Sequence, residues 1–146
     1  PEAVNQLIDR RRRRQPELTK LGTDMAVPDS SLNEVMEMYN SSLEEAGLDS
    51  VIFGHVGDNH LHVNIIPKTI ADYNQGKQLY HDWAREIVDM GGTISAEHGI
   101  GKLKAPLLPV MFSEKDIKEM KQLKQVFDPG FLLNRGNLFQ GRCQQS

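Results

Sequence analysis

Apolar positions recur along this chain with two spacings, one of three to four residues and one of two, which predict helices and strands respectively. The stretch that begins at Leu32 has helical spacing and reaches a stop signal at Gly47. A long stretch from Ile70 to Met90 carries its apolar residues along one side and ends at a glycine pair. Two further helices are predicted, at residues 2–14 and 113–127.

Short runs rich in β-branched or alternating residues predict the strands. They lie at residues 23–27, 50–53, 60–66 and 93–95. Pro28 ends the first run and Pro67 the third, since proline cannot donate to a strand ladder. The mixture predicts an α+β fold, a ferredoxin-like sheet of the split β-α-β type with helices packed on it.

Composition excludes several classes of protein. The chain has 146 residues, 38% hydrophobic and 25% charged, which is typical of a globular domain, and no apolar run approaches the ~20 residues of a transmembrane segment. A net charge of -3 gives no reason to expect a nucleic-acid partner. The run Arg10 to Arg14 is interpreted either as a solvated helix end or as a patch for an acidic partner or a phosphate. The single cysteine, Cys143, excludes an internal disulfide and fits a reducing, cytoplasmic compartment.

The first residue is Pro1, and the residues after it already have the character of a helix interior. We therefore expect the chain to be part of a longer protein, a fragment of a larger cap domain.

Four of the five histidines fall in two short segments, GHVGDNHLHVN at residues 54–64 and AEHGIG at residues 96–101. On a strand, His60, His62 and Asn64 share one face, and a turn at residues 57–58 can fold His55 back toward it. Imidazoles that bridge a turn suit a divalent cation such as zinc, manganese or iron, and Glu97 is the candidate carboxylate.

The same residues also have a structural interpretation. A histidine on a strand often serves only as a hydrogen-bonded structural residue. Spacing alone supports this interpretation and the metal site equally. Asp58 beside Gly57 most commonly stabilises a turn. His98 has the chemistry for proton transfer near neutral pH, whereas Lys102 and Lys104 are expected to be solvated.

Three motifs together resemble the C-terminal domain of the FAD-linked oxidase family, in the vanillyl-alcohol oxidase-like flavoprotein superfamily. They are GHVGDNHLHVN at residues 54–64, GGTISAEHGIG at residues 91–101 followed by Lys104, and DPGFLLN at residues 128–134. DMAVP at residues 24–28 is a weaker match. The family includes D-lactate dehydrogenases, D-2-hydroxyglutarate dehydrogenases and the flavin subunit of glycolate oxidase.

The resemblance implies a role for individual residues. His55, His62 and Glu97 would bind a divalent metal, zinc or manganese, and Asn64 would contact the substrate. His98 would be the general base that takes the proton of a 2-hydroxyacid while its C2 hydride passes to FAD. Residues 1–146 would then be a partial substrate- and metal-binding domain. The FAD-binding domain would be missing, and without it the chain would be inactive.

This sequence departs from the family pattern at several positions. The usual turn reads GDGNLH, and Asn59 and His60 replace its Gly-Asn pair. His60 is interpreted either as a group that supports the ligands or as one that faces the other neighbouring strand. Arg135 and Asn137 stand where proline and lysine are common. The family's arginine for the substrate carboxylate has no clear counterpart, and Lys20 is the substitute proposed for it.

Two other functional classes remain open at this stage. One is a non-enzymatic metal-binding or assembly module with the same fold. The other is a metal-dependent hydrolase with His98 as its base, although no fuller hydrolase motif is present. For the enzyme, a partner subunit that accepts electrons and a location peripheral to the membrane are compatible with the family. The sequence does not select one 2-hydroxyacid.

Overall fold

The computed structural model describes residues 2–139, so Pro1 and Cys143 lie outside the described residues. The chain divides between Ala96 and Glu97 into two compact units, Pro1–Ala96 and Glu97–Ser146. Each unit is described below by itself. Within residues 2–139, none of the helices combines the length and apolar character needed to cross a membrane.

The first unit is a small antiparallel sheet with three helices. In chain order its elements are α1 (Glu2–Arg12), β1 (Leu21–Gly22), β2 (Met25–Ala26), α2 (Leu32–Ala46), β3 (Ser50–His55), β4 (His60–Ile65) and α3 (Ile70–Asp89). β4 pairs with β3 along one edge and with both β1 and β2 along the other. Thr93, after α3, forms a single antiparallel bridge with Ala26 on β2. This is a split β-α-β arrangement, and the predicted α+β class is confirmed.

Of the strand predicted at residues 23–27, only Met25 and Ala26 form a strand, β2, and β1 lies before the predicted range. The side chain of Thr23 explains the interruption between β1 and β2. The Thr23 hydroxyl accepts from the N–H of Val63 at 2.8 Å and donates to the carbonyl of Leu61 at 3.3 Å. A side chain thus takes the place of a backbone partner, which divides the strand into β1 and β2. The strand predicted at residues 93–95 is likewise reduced to one bridge, because the N–H of Ser95 turns back to the Thr93 hydroxyl at 3.3 Å.

The core lies between the sheet and helices α2 and α3. Each helix turns its buried side chains inward, Val35, Tyr39 and Leu43 from α2 and Trp83, Ala84 and Ile87 from α3. The rings of Tyr39 and Trp83 meet edge to face with centroids 4.8 Å apart, and the Trp83 indole N–H donates to Ser42 at 2.9 Å. Burial of this kind stabilises a fold by about 1.5–3 kcal/mol per large side chain.

Arg11 has a structural role that neither interpretation of the arginine run anticipated. Its guanidinium donates to the carbonyls of Ile66 and Pro67 just after β4 and forms an ion pair with Asp49 at 3.1 Å. It therefore joins α1 to the end of the sheet. The other four arginines of the run are exposed, as expected of a solvated helix end.

The second unit contains a four-residue helix, α4 (Leu108–Met111), and a longer one, α5 (Glu114–Phe127). Ser113 caps α5 and forms a capping box with Asp116. Asp128, just after the helix, accepts from Lys124 at 2.8 Å and from the N–H groups of Leu132 and Leu133. Together these bonds lower the pKa of Asp128 to about 2, and the bond with Lys124 has the largest effect.

Candidate metal and substrate site

The hairpin of β3 and β4 places the histidines of the first motif on one face of the sheet. The strand register pairs His55 with His60, Phe53 with His62 and Val51 with Asn64. Directly paired residues of an antiparallel sheet point to the same side, so all six side chains share a face. The opposite face carries Ile65, which lies beside Gly76 of α3. The predicted common face of His60, His62 and Asn64, and the return of His55 to it, are therefore confirmed.

The turn between the strands has the backbone geometry that this arrangement requires. Gly54 has a φ of 156°, and a Cβ built there would lie 2.1 Å from the carbonyl oxygen of His60. Asn59 ends the turn in the left-handed region with a φ of 48°, and its amide donates to the carboxylate of Asp29. Glycine and asparagine tolerate these conformations best, so the local sequence favours the hairpin that brings His55 opposite His60.

The three imidazoles lie close enough to share one cation. Ring centroids are 4.3 Å apart for His60 and His62, 5.7 Å for His55 and His60, and 6.4 Å for His55 and His62. Each ring offers a nitrogen, and these nitrogens lie within 4.8 Å of one another. Neutral imidazole nitrogens are ligands that zinc and other late divalent metals prefer, so this donor set fits a divalent cation.

Buried acceptors hold two of these rings in place. His62, which is 8% exposed, has its Nδ1 2.9 Å from the carbonyl oxygen of Thr23. Because a carbonyl can only accept, Nδ1 carries the proton and the lone pair of His62 lies on Nε2. His60, which is 5% exposed, has its Nε2 3.0 Å from Oδ1 of Asp24. Histidines that bind metals commonly have this kind of partner on their second nitrogen.

Asn64 is buried on the same face, and a glycine provides the space that it occupies. Gly22 on β1 pairs with Asn64, and a Cβ at Gly22 would lie 2.9 Å from the side-chain oxygen of Asn64. Lys20 precedes β1 and is partly buried. The first unit therefore brings His55, His62 and Asn64 together, whereas a substrate contact by Lys20 stays a prediction.

Glu97 and His98 open the second unit and lie beside each other. Oε1 of Glu97 is 3.3 Å from Nε2 of His98, and their side chains are 45% and 63% exposed. In the first unit, the residue before them, Ala96, donates its backbone N–H to the carbonyl of Asp24 at 2.9 Å. Ala96, the last residue of the first unit, is thus held by the residue that also binds His60. Whether Glu97 shares a cation with His55 and His62 stays a prediction.

Asp24 contacts a histidine of the candidate site, and the sequence did not predict this contact. Asp24 is only 1% exposed and accepts from His60 and, at 3.2 Å, from the Ser95 hydroxyl. The available signal was the pair Thr23-Asp24, two polar residues at the start of an apolar strand. The sequence predicted the shared face of His60, His55 and His62 but not the pairing of His60 with a buried carboxylate.

Comparison with known proteins identifies the family to which the chain belongs. The family model described as FAD linked oxidases, C-terminal domain, matches residues 2–138. The chain therefore belongs to this family of C-terminal domains of FAD-linked oxidases.

Individual relatives are longer proteins. The chain is 31% identical to the glycolate oxidase subunit GlcD of Bacillus subtilis over 83% of its length, and this covers 26% of the relative. It is 32% identical to a D-lactate dehydrogenase of Archaeoglobus fulgidus, over 79% of the chain and 26% of the relative. A D-2-hydroxyglutarate dehydrogenase of Stutzerimonas stutzeri is 41% identical over 61% of the chain and 20% of the relative. The chain thus spans about a quarter or less of these relatives.

Proposed function

We propose that this chain is the substrate- and cation-binding part of an FAD-dependent oxidoreductase that oxidises a 2-hydroxyacid to the 2-oxoacid. The names of the three relatives, a glycolate oxidase subunit, a D-lactate dehydrogenase and a D-2-hydroxyglutarate dehydrogenase, support a substrate of this class. The observation that carries the proposal is the cluster of imidazoles on β3 and β4, with their ring nitrogens within 4.8 Å of one another.

In this proposal His55, His62 and Glu97 hold a divalent cation, zinc or manganese. When bound, the cation would lower the pKa of a coordinated hydroxyl group and orient the substrate. The hydrogen bond from Nδ1 of His62 to Thr23 supports the assignment, because it fixes the tautomer that has its lone pair on Nε2. The location of Glu97 directly after Ala96, which is anchored to Asp24, supports its recruitment.

His98 would take the hydroxyl proton of the substrate. Its exposed side chain can reach a bound ligand, and the Glu97 carboxylate at 3.3 Å would stabilise the imidazolium that forms. FAD would supply the acceptor for the C2 hydride, as the family implies. Asn64 and Lys20 would bind the substrate through an amide and a cation, the groups that recognise a carboxylate.

The test is metal analysis of the purified chain beside three single variants. We expect about one zinc or manganese per native chain and a clear loss in both H55A and E97A. The H81A variant is the matched control, because His81 on α3 is the one histidine outside the two motifs. Equal metal content in the native chain and in the H55A and E97A variants would refute the ligand assignment.

A second measurement separates the oxidoreductase proposal from a flavin-independent enzyme. The chain is mixed with D-lactate, glycolate or D-2-hydroxyglutarate and a dye that accepts electrons. We expect no turnover without flavin, since the protein groups offer no redox chemistry of their own. Appreciable flavin-free turnover would contradict the proposal.

A further inference from the structure

We propose that His60 is a third imidazole ligand of the cation site, that Asp24 is its positioning residue, and that this ligand shifts the site toward zinc over manganese. The inference rests on the proposed function, because it concerns the same hairpin, and it adds a ligand to that site.

The location of His60 provides the first argument. The ring centroids of His60 and His62 are 4.3 Å apart, whereas those of His55 and His62 are 6.4 Å apart. One ring nitrogen of His60 belongs to the same group, within 4.8 Å of one ring nitrogen each of His55 and His62. A cation bound by His55 and His62 would therefore lie within reach of a third imidazole on the same sheet face.

The buried carboxylate of Asp24 provides the second argument. Oδ1 of Asp24 lies 3.0 Å from Nε2 of His60, and a carboxylate can only accept, so Nε2 carries the proton. The lone pair of His60 is therefore on Nδ1. His62 shows the same pattern with its nitrogens exchanged, since its Nδ1 donates to Thr23. A carboxylate behind an imidazole orients the ring and raises its basicity toward a metal.

A purely structural role would leave His60 as the partner of a buried charge. Asp24 is 1% exposed, and a buried carboxylate needs hydrogen-bond donors. However, the Ser95 hydroxyl also reaches Oδ2 of Asp24 at 3.2 Å, so the carboxylate of Asp24 does not depend on His60 as its one hydrogen-bond donor. The ligand role accounts for the fixed orientation of the His60 ring on the face that also carries His55 and His62.

The expected consequence is a change in metal preference. Imidazole nitrogen suits zinc and cobalt, whereas manganese favours oxygen donors. A third imidazole in place of an oxygen ligand therefore raises the ratio of zinc affinity to manganese affinity. Replacement of His60 by asparagine keeps a polar side chain of similar reach and removes the imidazole.

The experiment is titration of the chain with cobalt, zinc and manganese, together with X-ray absorption at the cobalt edge to count imidazole ligands. The variants are H60N, D24N and, as the matched control, H81N. Native chain and H81N are expected to show three imidazoles, and H60N two. We expect H60N to bind zinc roughly 100-fold more weakly than the native chain, because it loses a ligand. D24N should bind zinc roughly 10–100-fold more weakly, because it loses the carboxylate that hydrogen-bonds to that ligand. The affinity of H60N for manganese should change least.

Circular dichroism and thermal unfolding identify folded variants, and D24N, which retains His60, tests the same claim if H60N does not fold. Two imidazoles in the folded native chain, or unchanged zinc affinity and ligand count in a folded H60N, would overturn the role of His60 while the site of His55 and His62 stands. An absence of cation binding by the native chain would instead refute the proposed function.

Discussion

The two segments that carry candidate chemistry are held in different ways. His60 and His62 lie on a central strand, are 5% and 8% exposed, and each has one ring nitrogen bonded to a buried acceptor. Glu97 and His98 lie between glycine-containing turns, with side chains 45% and 63% exposed. The comparison indicates that the histidines of the first unit are fixed by buried hydrogen-bond partners, whereas the second unit begins with side chains that are largely exposed to solvent.

The largest expected difference between the segments is in cation affinity. We expect H62A to weaken zinc binding by roughly 100-fold or more, because loss of a ligand costs at least as much as loss of its outer partner. H98A should change zinc affinity by less than roughly threefold, since His98 is proposed as a base and not as a ligand. Competition titration with a chromophoric chelator measures both. A larger loss of zinc affinity in H98A than in H62A would contradict the proposed roles of His62 as a ligand and His98 as a base.

Backbone substitutions are expected to produce the next largest effect. A Cβ at Gly54 would meet the His60 carbonyl at 2.1 Å, whereas a Cβ at Gly99 has nothing within 4 Å. We expect G54A to lower the free energy of unfolding by about 3 kcal/mol, from overpacking and an unfavourable φ together. G99A, with a φ of 69°, should cost only about 1 kcal/mol. Urea denaturation measures the stability of both variants. Equal losses of stability would show that the hairpin at Gly54 is no more constrained than the backbone at Gly99.

The helix caps provide a smaller, matched pair of tests, one in each unit. Thr69, just before α3, and Ser113, just before α5, both form capping boxes, with Asp72 and Asp116 respectively. Each alanine variant is expected to lower stability by about 1 kcal/mol, because a backbone N–H loses its acceptor. A single shared unfolding transition in both variants would show that the units unfold together, and separate transitions would show that each cap stabilises its own unit.

The smallest expected effect is a change in how stability depends on pH in the acidic range. Bonds from Lys124 and from two backbone N–H groups lower the pKa of Asp128 from 3.8 to about 2. A carboxylate with a lowered pKa in the folded state contributes stability above its unfolded pKa, and this is lost as pH falls from about 4 toward about 2. The D128N variant should therefore lose stability at neutral pH and show a weaker dependence in that window. An unchanged acid transition in D128N would contradict this role.

Local patterns predicted the longer elements well. The stop at Gly47 is a left-handed residue that ends α2, as expected, and α3 and α5 begin and end within two residues of the predicted bounds. The short helix α4 was not predicted, because Pro109 in its first turn is also a common loop residue. The interruption between β1 and β2 depends on the Thr23 hydroxyl, whose partners on β4 are about forty residues away in sequence.

In the candidate site too, local patterns predicted the strand face but not the contacts between residues distant in sequence. Alternation along β4 was enough to place His60, His62 and Asn64 on one face. The pairing of His60 with Asp24 joins residues 36 positions apart, and no local spacing encodes it. Motifs therefore identified the candidate ligands, whereas the hydrogen-bond partners that indicate which nitrogen of His60 and of His62 carries the proton come from tertiary structure.

The most direct test is a crystal structure of the zinc-loaded chain with anomalous data at the zinc edge. The account predicts one strong peak about 2.0–2.2 Å from ring nitrogens of His55 and His62 and from a carboxylate oxygen of Glu97. A well-ordered structure with zinc bound elsewhere, or with Glu97 remote from a zinc held by the hairpin, would contradict the account.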